Sequence, residues 1–421
     1  MKSGKILTAI DIGTTKICVI IAILNSENEL EIKGIGNSKS EGLVNGLVVD
    51  IITASKSIYD AIKEAEEMAG FKAKNIYVGI AGDHIKSQNT LGRISVATGH
   101  EPSEITHQHI TDVLNDAQNN VKIQPGNDRL DIIHVIPQYY EIDGQKGIMN
   151  PLKMTGVNLS ARVHIVMADI NTMKNIKKCI EESNYKVEEI FLEPIASSFA
   201  VLNQVERDLG SILIDIGGGT TDIAVFFKGS IRFSTVLALG GTNITQDIAI
   251  GLQTSPKNAE AIKINHGDAI AATIPEDKKI EIEGIGGRES KQRSLRYISE
   301  IIEARMREIL ENSYSILNEN HNLKMITAGL TITGGAALLA NSDKLASEIF
   351  NMDTKIGYPD LTNLSGPTDR LKSPKFATVV GILYHVHQII LGKENRISQL
   401  KRKDPITNFF QKIVNILKDY F

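Results

Sequence analysis

The order of apolar and polar positions predicts alternating strands and helices along most of the chain. Residues 5–36 divide into three largely apolar segments, KILTAIDIG, KICVIIAIL and ELEIKGIG, which predict three strands joined by tight turns. Apolar residues at helical spacing over about 50–69 predict a helix that ends near Gly70, and NIYVGIAG (75–82) predicts a fourth strand. From residue 83 the pattern changes to a polar helix and long strands, so 84–165 is interpreted as an inserted subdomain.

The α/β alternation resumes after the insertion. The pattern predicts a helix at 171–183, a strand at 186–193, a helix at 194–205 and a glycine-rich strand-turn-strand at 211–227. Two helices follow, and the later elements are a charged hairpin at 272–292, a long helix at 294–318, a strand, turn and helix start at 329–339 and a core helix at 373–391. Residues 392–404 have the composition of a linker, and a last segment begins at Pro405.

Composition narrows the class of protein. A chain of 421 residues is too long for one hydrophobic core and predicts at least two domain-sized units. The net charge of −4 argues against bulk binding of nucleic acid. Only two cysteines occur, without metal-ligand spacing, and no apolar run is long enough to be a signal peptide or to cross a membrane. We therefore expect an intracellular protein without a membrane span.

Two similar loops carry the strongest chemical signal. AIDIGTTK (9–16) and LIDIGGGTTD (213–222) both place an aspartate at the end of a strand, followed by glycine and threonine. Glycine allows the backbone to approach an anion closely, the threonine hydroxyls are donors, and the aspartate can bind Mg²⁺ through water. The first loop alone could be a structural hairpin. Two loops of one design predict an internal duplication that clamps a phosphate group between two halves.

A strand, a Gly-Gly turn and a helix start at TITGGAALL (331–339) complete a set of five motifs. The others are the two phosphate loops, EPIASSFAVL (193–202) and PKFATVVGILYHV (374–386). In this order they resemble the actin/Hsp70/sugar-kinase ATPase superfamily over nearly the whole chain. The resemblance implies an α/β, actin-like ATPase fold, with two duplicated lobes around a nucleotide cleft that binds ATP and Mg²⁺.

The resemblance also implies roles for individual residues. Asp11 and Asp215 would face Mg²⁺ through water, and Glu193 would position the attacking water. Glu193 could equally be a carboxylate stabilised at a helix N-terminus. The residues implied to bind the nucleotide are Gly13, Thr14, Thr15, Lys16, Gly217, Gly218, Gly219, Thr220, Gly240, Gly241, Glu260, Lys263, Gly334, Gly335 and Ala336.

The position of the insertion distinguishes members of the superfamily. Here it follows NIYVGIAG directly, and IPQYYEIDGQKGIMNPLKMTG followed by ARVHIV resembles the relocated subdomain 1C of the bacterial division family FtsA. The implied boundaries are 1–83, 166–203 and 357–391 for subdomain 1A, 84–165 for 1C, 204–243 and 319–356 for 2A, 244–318 for 2B, 392–404 for a linker and 405–421 for a membrane-targeting helix.

The last 17 residues, PITNFFQKIVNILKDYF, are amphipathic at helical spacing. A helix that docks on this protein or on a partner has the same pattern. The basic run at 401–403 and the preceding linker favour a helix that lies in the surface of an anionic membrane. The residues expected to contact lipid are Ile406, Phe409, Phe410, Ile413, Ile416, Leu417, Tyr420 and Phe421.

A basic stretch at 284–311 is either a solvated helix face or, by the family resemblance, the region 2B that binds the C-terminal peptide of FtsZ. Arg288 and Arg305 are the residues that we expect to contact the peptide. The histidine pairs His107/His109 and His385/His387 point to different faces of a helix, which disfavours a metal site.

The FtsA resemblance implies an ATP-binding protein that polymerises on the cytoplasmic face of the bacterial inner membrane at midcell. It would anchor FtsZ filaments there and recruit later division proteins, with weak or no ATP hydrolysis. The alternatives are a pilus-assembly ATPase, a small-molecule kinase of the same fold and a chaperone-like ATPase. The chain leaves no room for a peptide-binding domain of the chaperone type after the second connecting helix.

Overall fold

A computed structural model describes residues 4–397, except 98, 100, 123–128, 285, 287, 321–322 and 324–325. The strands of these residues are β1 Lys5–Ile12, β2 Lys16–Leu24, β3 Leu30–Lys39, β4 Leu43–Val44, β5 Leu47–Val48, β6 Ile76–Ile80, β7 Ile85–Ser95, β8 Ser103–Glu104, β9 Leu130–Ile142, β10 Gln145–Ile148, β11 Thr155–Gly156, β12 Asn158–Asp169, β13 Val187–Leu192, β14 Ser211–Ile216, β15 Thr221–Phe227, β16 Ser230–Leu237, β17 Lys279–Ile282, β18 Lys291–Ser294, β19 Leu330–Thr333, β20 Thr354–Ile356 and β21 Leu364–Ser365. The helices are α1 Ile51–Ala69, α2 His107–Lys122, α3 Ile170–Glu181, α4 Glu193–Val201, α5 Gln204–Leu209, α6 Gly241–Leu252, α7 Pro256–His266, α8 Leu295–Asn320, α9 Ser342–Phe350 and α10 Ala377–Ile397.

The first lobe is built on a six-stranded sheet in the order β13-β6-β1-β2-β3-β21. β1 and β2 form an antiparallel hairpin with Ile12 opposite Ile17, and β6 runs parallel to β1. Helix α1 packs on β3, where Gly34 and Gly36 allow the helix backbone to come close. The apolar faces of the sheet and of its helices form one buried cluster, in which Ile10, for example, is fully buried.

The second lobe repeats this design. Its sheet has the order β16-β15-β14-β19-β20, in which β14 and β15 form an antiparallel hairpin and β19 runs parallel to β14. Helices α6, α8 and α9 pack around a separate hydrophobic cluster that contains Ile214, Ile248 and Ile302. Each lobe thus has a meander of three antiparallel strands whose first strand is followed in the sheet by two parallel strands, which confirms the duplication predicted from the two loops.

Two helices join the lobes and cross at a very close distance. Helices α4 and α10 pack against each other, and a Cβ atom added to Gly381 would lie only 1.8 Å from the carbonyl oxygen of Ala196. Real Cβ atoms do not approach a carbonyl oxygen this closely. The absence of a side chain at Gly381 therefore sets the distance between the two connecting helices.

The inserted segment has its own sheet and its own core. Its strands have the order β10-β9-β12-β7, and α2 covers one face over a third hydrophobic cluster. The other face contacts β16 of the second lobe. There the carbonyl oxygens of β16 accept hydrogen bonds from Ser87, Asn89 and Gln138, at 2.6 Å, 2.9 Å and 3.0 Å. The insert is therefore hydrogen-bonded to the second lobe through polar side chains, and it is covalently continuous with the first lobe.

The elements predicted from the sequence pattern are present, with three differences. Helix 194–205 ends at Val201, and α5 begins anew with Asn203 as its N-cap, whose side chain accepts from the backbone of Glu206. The segment after Gly335 begins with a 3₁₀ turn at Ala336–Leu338, and α9 starts only at Ser342. Helix α10 extends to Ile397, because no proline interrupts the first part of the segment whose composition predicts a linker.

None of the helices within the described residues combines the length and the apolar composition that crossing a lipid bilayer requires. The amphipathic segment 405–421, with the eight residues expected to contact lipid, lies outside the described residues.

Gly381→Ala should destabilise the protein, because the new methyl group forces α4 and α10 apart. We expect a loss of about 1–3 kcal/mol, measured by urea unfolding. Gly251→Ala is the matched control, since this glycine lies in α6 and the nearest atoms to a Cβ there belong to the movable side chains of Ile301 and Tyr297. The control should be neutral or stabilising, by up to about 1 kcal/mol. Equal effects of the two substitutions would contradict the close-contact explanation.

Candidate functional site

The two glycine-threonine loops meet at a cleft between the lobes. In each loop the first glycine closes a tight turn, with Gly13 N donating to Lys16 O at 3.1 Å and Gly217 N donating to Thr220 O at 2.9 Å. A Cβ atom on Gly218 would lie 2.5 Å from Thr15 Cγ2, so the loops touch across the cleft. The same local geometry, contributed once by each lobe, forms opposite walls of one site.

The cleft has a volume of about 280 Å³ and brings most of the predicted site residues together. Those that line it are Asp11, Gly13, Thr14, Thr15, Lys16, Glu193, Asp215, Gly217, Gly218, Thr220, Gly241, Glu260, Lys263, Gly334, Gly335 and Ala336. Gly219 and Gly240 lie directly behind this lining. A Cβ atom on Gly219 would be 2.6 Å from Thr14 Oγ1, and one on Gly240 would be 2.7 Å from the carbonyl oxygen of Gly218.

The N-terminus of α6 holds the second loop in place. Gly241 N donates to Gly217 O at 2.9 Å, and Thr242 N donates to Gly218 O at 2.7 Å. Asn243 Oδ1 accepts from the backbone of Gly240 at 2.9 Å. These bonds use helix N–H groups that have no partner within the helix, and they fix the loop to the second lobe.

Four buried carboxyl groups lie close together on one side of the cleft. Burial raises the pKa of Asp11 to about 7; the Lys16 ammonium opposes this rise and the Asp215 carboxylate adds to it. Burial also raises the pKa of Glu193 and of Asp222 well above the usual range, and the neighbouring carboxylates raise both further. The pKa of Asp215 is raised by burial alone, and hydrogen bonds from Ser197 and Thr378 limit the rise. The group therefore favours protons or a bound cation.

Asp222 was missed by the sequence interpretation. It lies directly opposite Asp215 in the β14–β15 hairpin, and its Oδ1 atom is buried without a hydrogen-bond partner. The spacing in the two hairpins could have indicated it. Asp222 follows Asp215 by seven positions, and Cys18, which pairs with Asp11 in the first hairpin, follows Asp11 by the same seven positions. Other lining residues that were not among the predicted contacts are Thr242, Ile264, Gly267, Leu338, Leu339, Pro374, Lys375 and Thr378.

The basic side of the cleft is already organised by internal contacts. The Lys263 ammonium lies 2.7 Å from Glu260 Oε2 and donates to Gly241 O at 2.8 Å and to Thr245 Oγ1 at 2.7 Å. Lys16, expected to meet phosphates, instead donates to the carbonyl oxygen of Lys375 at 3.1 Å, and its ammonium lies 3.9 Å from the centre of the Phe376 ring.

The residues present fit a magnesium-bound nucleotide. Glycine backbone lines both loops, and two buried polar atoms in the cleft, Asp222 Oδ1 and the hydroxyl of Thr242, have no partner. Within the described parts of the chain, no group of three or more histidine, cysteine, aspartate or glutamate side chains could ligate a metal directly. Contacts of Asp11 and Asp215 with Mg²⁺ through water remain a prediction.

The two arginines expected to contact the FtsZ peptide have different surroundings. Arg305 forms a bidentate ion pair with Asp247, at 2.6 Å and 3.2 Å, and also bonds to Glu308. Arg288 is exposed in the turn between β17 and β18. Arg305 therefore joins α8 to α6, whereas the guanidinium of Arg288 is accessible.

A larger cavity of about 830 Å³ lies where α4, α5 and α10 meet. Its charged side chains contact one another or backbone, since Lys355 pairs with Glu206 and Arg207 donates to the carbonyl oxygens of Ser198 and Leu202. It has neither the glycine loops nor the buried carboxyl groups of the interlobe cleft. The cleft is thus the better candidate for a charged small molecule.

Solved structures share the fold of this chain. A PilM–PilN type IV pilus biogenesis complex aligns over 89% of this chain and 97% of its own, with a TM-score of 0.64 and 13% identity. MreB5 of Spiroplasma citri bound to AMPPNP aligns over 94% of this chain and 99% of its own, with a TM-score of 0.55 and 17% identity. These similarities confirm the actin-like fold.

Comparison of sequences identifies the family. The family model "Cell division protein FtsA" matches residues 212–381, and "SHS2 domain inserted in FTSA" matches 82–167. Cell division protein FtsA of Pseudomonas aeruginosa is 37% identical over 385 residues, which cover 91% of this chain and 90% of that protein. The Escherichia coli K12 protein is 33% identical over 401 residues, which cover 94% of this chain and 92% of that protein. The chain therefore belongs to the FtsA family of cell division proteins.

Proposed function

We propose that this division protein binds ATP with Mg²⁺ between its lobes and attaches FtsZ filaments to the cytoplasmic face of the cell membrane at the division site. The observation that carries the proposal is the meeting of two equivalent phosphate loops, one from each lobe, in a chain of the FtsA family. Polymerisation of the protein and recruitment of later division proteins belong to the same proposal. The pilus-assembly and kinase alternatives have no support from the sequence relatives.

The proposed ligand contacts follow from the lining of the cleft. The loop residues Thr14, Thr15 and Gly218 would hold the phosphates, while Glu260 and Gly334 would border the nucleoside. Mg²⁺, when bound, would supply positive charge beside the phosphates and the buried carboxylates. Without a cation these carboxyl groups favour protonation, so metal and nucleotide are expected to bind together.

Slow hydrolysis is part of the proposal. Glu193 begins α4 beside the other carboxyl groups and would orient a water molecule near the phosphates. Burial and the charges of Asp11, Asp222 and Asp215 raise its pKa, which favours the protonated form over the carboxylate that would accept a proton from water, and a bound cation would oppose this. We therefore propose that ATP acts mainly by stabilising one arrangement of the two lobes.

The proposed FtsZ surface lies along α6 and α8. Asp247 of α6 pairs with Arg305 of α8, and Ile250, one turn further along α6, is 76% exposed. Tyr297, two turns before Arg305, is 45% exposed and lies next to Gly251. Arg305 would fix α8 to α6 beneath this surface through its ion pair with Asp247, while Arg288 and the exposed apolar side chains would contact the peptide.

Removal of residues 405–421 should abolish membrane attachment. We expect the full-length protein with Mg·ATP to sediment with liposomes that contain anionic lipid, and the chain that ends at Asp404 to remain in solution. Ile413→Gln, on the apolar face, should weaken sedimentation strongly, whereas its control Asn415→Gln, on the polar face, should not. Equal sedimentation of the full-length and shortened chains would exclude this anchor.

Asp11→Asn should stabilise the nucleotide-free protein and weaken Mg·ATP binding at least tenfold. The pKa of about 7 in the folded protein exceeds the ordinary aspartate pKa of 3.8, so the unfolded chain binds fewer protons between these values and stability falls as pH rises through them. The variant should lack that fall and be more stable at pH 8 by about 1–3 kcal/mol. Thermal unfolding and calorimetric titration at pH 5 and pH 8 measure both effects.

The control for this experiment is Asp60→Asn, on the exposed face of α1. It should change neither the pH dependence nor nucleotide binding. An Asp11→Asn protein that binds Mg·ATP as the wild type does would remove Asp11 from the proposed metal site.

Ile250→Asp should weaken binding of a synthetic FtsZ C-terminal peptide at least tenfold, because it places a charge in the apolar part of the proposed surface. Val205→Asp is the matched control, since Val205 is 63% exposed on α5, outside that surface. Fluorescence anisotropy with a labelled peptide measures both affinities. Equal affinities for the two variants would place the peptide elsewhere.

A further inference from the structure

A lysine that was not among the predicted nucleotide contacts lies at the mouth of the interlobe cleft. Lys375 belongs to a 3₁₀ turn, Pro374–Phe376, that precedes α10 in the first lobe, and Pro374 and Lys375 both line the cleft. The Lys375 side chain is exposed. It is therefore accessible to a ligand that enters between the lobes.

The backbone of this turn is fixed by the first phosphate loop. Lys16 donates to the carbonyl oxygen of Lys375 at 3.1 Å, and the same ammonium lies over the ring of Phe376. Ser373, which precedes the turn, caps it by accepting from the backbone of Lys375. A movement of the first loop would therefore also move Lys375.

The side chain of Lys375 reaches across the cleft to the second lobe. A Cβ atom built on Gly335 would lie 3.8 Å from Lys375 Cγ and 4.0 Å from Lys375 Cε, and it would meet no other atom within 4 Å. Gly335 therefore faces an open slot whose opposite border is the aliphatic part of Lys375. Gly335 belongs to the second lobe and Lys375 to the first, so the slot is closed by residues of both.

The charges around this slot are not balanced by the protein. Lys263 has Glu260 as its partner, and its pKa is lowered by burial and, in addition, by the nearby ammonium of Lys375. Among the described residues, no carboxylate lies within 4.0 Å of the Lys375 ammonium. The ammonium groups of Lys263 and Lys375 therefore repel each other, and an anionic ligand in the cleft would reduce this repulsion.

We propose that Lys375 is a nucleotide-binding residue whose ammonium contacts the phosphate chain from the first lobe while its aliphatic part covers the slot at Gly335. This inference rests on the proposed binding of ATP. Because the contact joins a phosphate to the lobe opposite Gly335, it favours a closed cleft when a nucleoside di- or triphosphate is bound. Adenosine has no phosphate and therefore does not form this contact.

The test compares binding of ATP, ADP and adenosine, each with Mg²⁺, to the full-length protein by calorimetric titration. Lys375→Met keeps the aliphatic part and removes the charge, and we expect about tenfold weaker binding of ATP and ADP with unchanged binding of adenosine. Lys375→Arg should restore most of the affinity. Lys372→Met is the matched control, because Lys372 lies just before the same turn, is exposed and pairs with Asp369.

The outcomes distinguish the two proposals. Failure of the wild-type protein to bind ATP would overturn the proposed function and the role of Lys375 together. Tight binding by the wild type and by Lys375→Met alike would overturn only the role of Lys375. An equal loss for adenosine would show that the side chain acts through packing and would overturn the phosphate contact. Unfolding midpoints without nucleotide establish that the variants are folded.

Discussion

The carboxylate of Asp215 is the point on which the arrangement of the lobes depends. It ends a strand of the second lobe and accepts hydrogen bonds from Ser197 on α4, at 2.7 Å, and from Thr378 on α10, at 3.3 Å. The two hydroxyls are also 3.0 Å from each other. Both connecting helices are thereby tied to the second phosphate loop. The contact is buried, so a loss of either hydroxyl would leave the carboxylate with one hydrogen bond fewer and no water to replace it.

This contact requires the helices to be unusually close. Only a residue without a side chain at Gly381 lets α10 approach the backbone of Ala196, one position before Ser197. The residues that set the helix distance are therefore neighbours of those that bind Asp215. The same two helices thus supply both the close packing contact and the hydrogen bonds to Asp215. A ligand that changes the charge around Asp215 therefore acts directly on these helices.

The inserted subdomain is bound to this system through β16. His164, almost fully buried, contacts Asn89 at 2.9 Å and Ser234 of β16 at 3.0 Å, and Asn89 also accepts from Gln138. Since β16 is an edge strand, its outward carbonyl groups need partners, and the insert supplies them with side chains rather than with a strand. The insert thus contacts both lobes, and a change in their relative position must be accommodated at this polar contact.

The sequence was sufficient for the fold and for most of the cleft, because both rest on local patterns. Strand periodicity and Asp-x-Gly turns predict where each loop lies, and the order of the motifs predicts that the loops meet. Asp222 could have been found from hairpin pairing alone. The direction of the Lys16 side chain and the position of Lys375 could not be predicted in this way. Both depend on how the turn before α10 packs against a loop that is far away in sequence. The pairing of Arg305 with Asp247 is likewise a tertiary contact between two helices.

The differences between the two loops show why the second is not a redundant copy. At the position opposite the strand-end aspartate, the first loop has Cys18, which is buried and whose pKa burial raises to about 12, so it stays neutral. The second loop has Asp222 there, which adds a carboxyl group to the cleft. The first loop instead carries Lys16, whose ammonium lowers the pKa of Asp11. The second loop therefore contributes two carboxyl groups to the cleft, whereas the first contributes one carboxyl group and one ammonium group. A ligand that contains both a cation and phosphates consequently interacts with each loop differently, which favours one orientation of the ligand over its reverse.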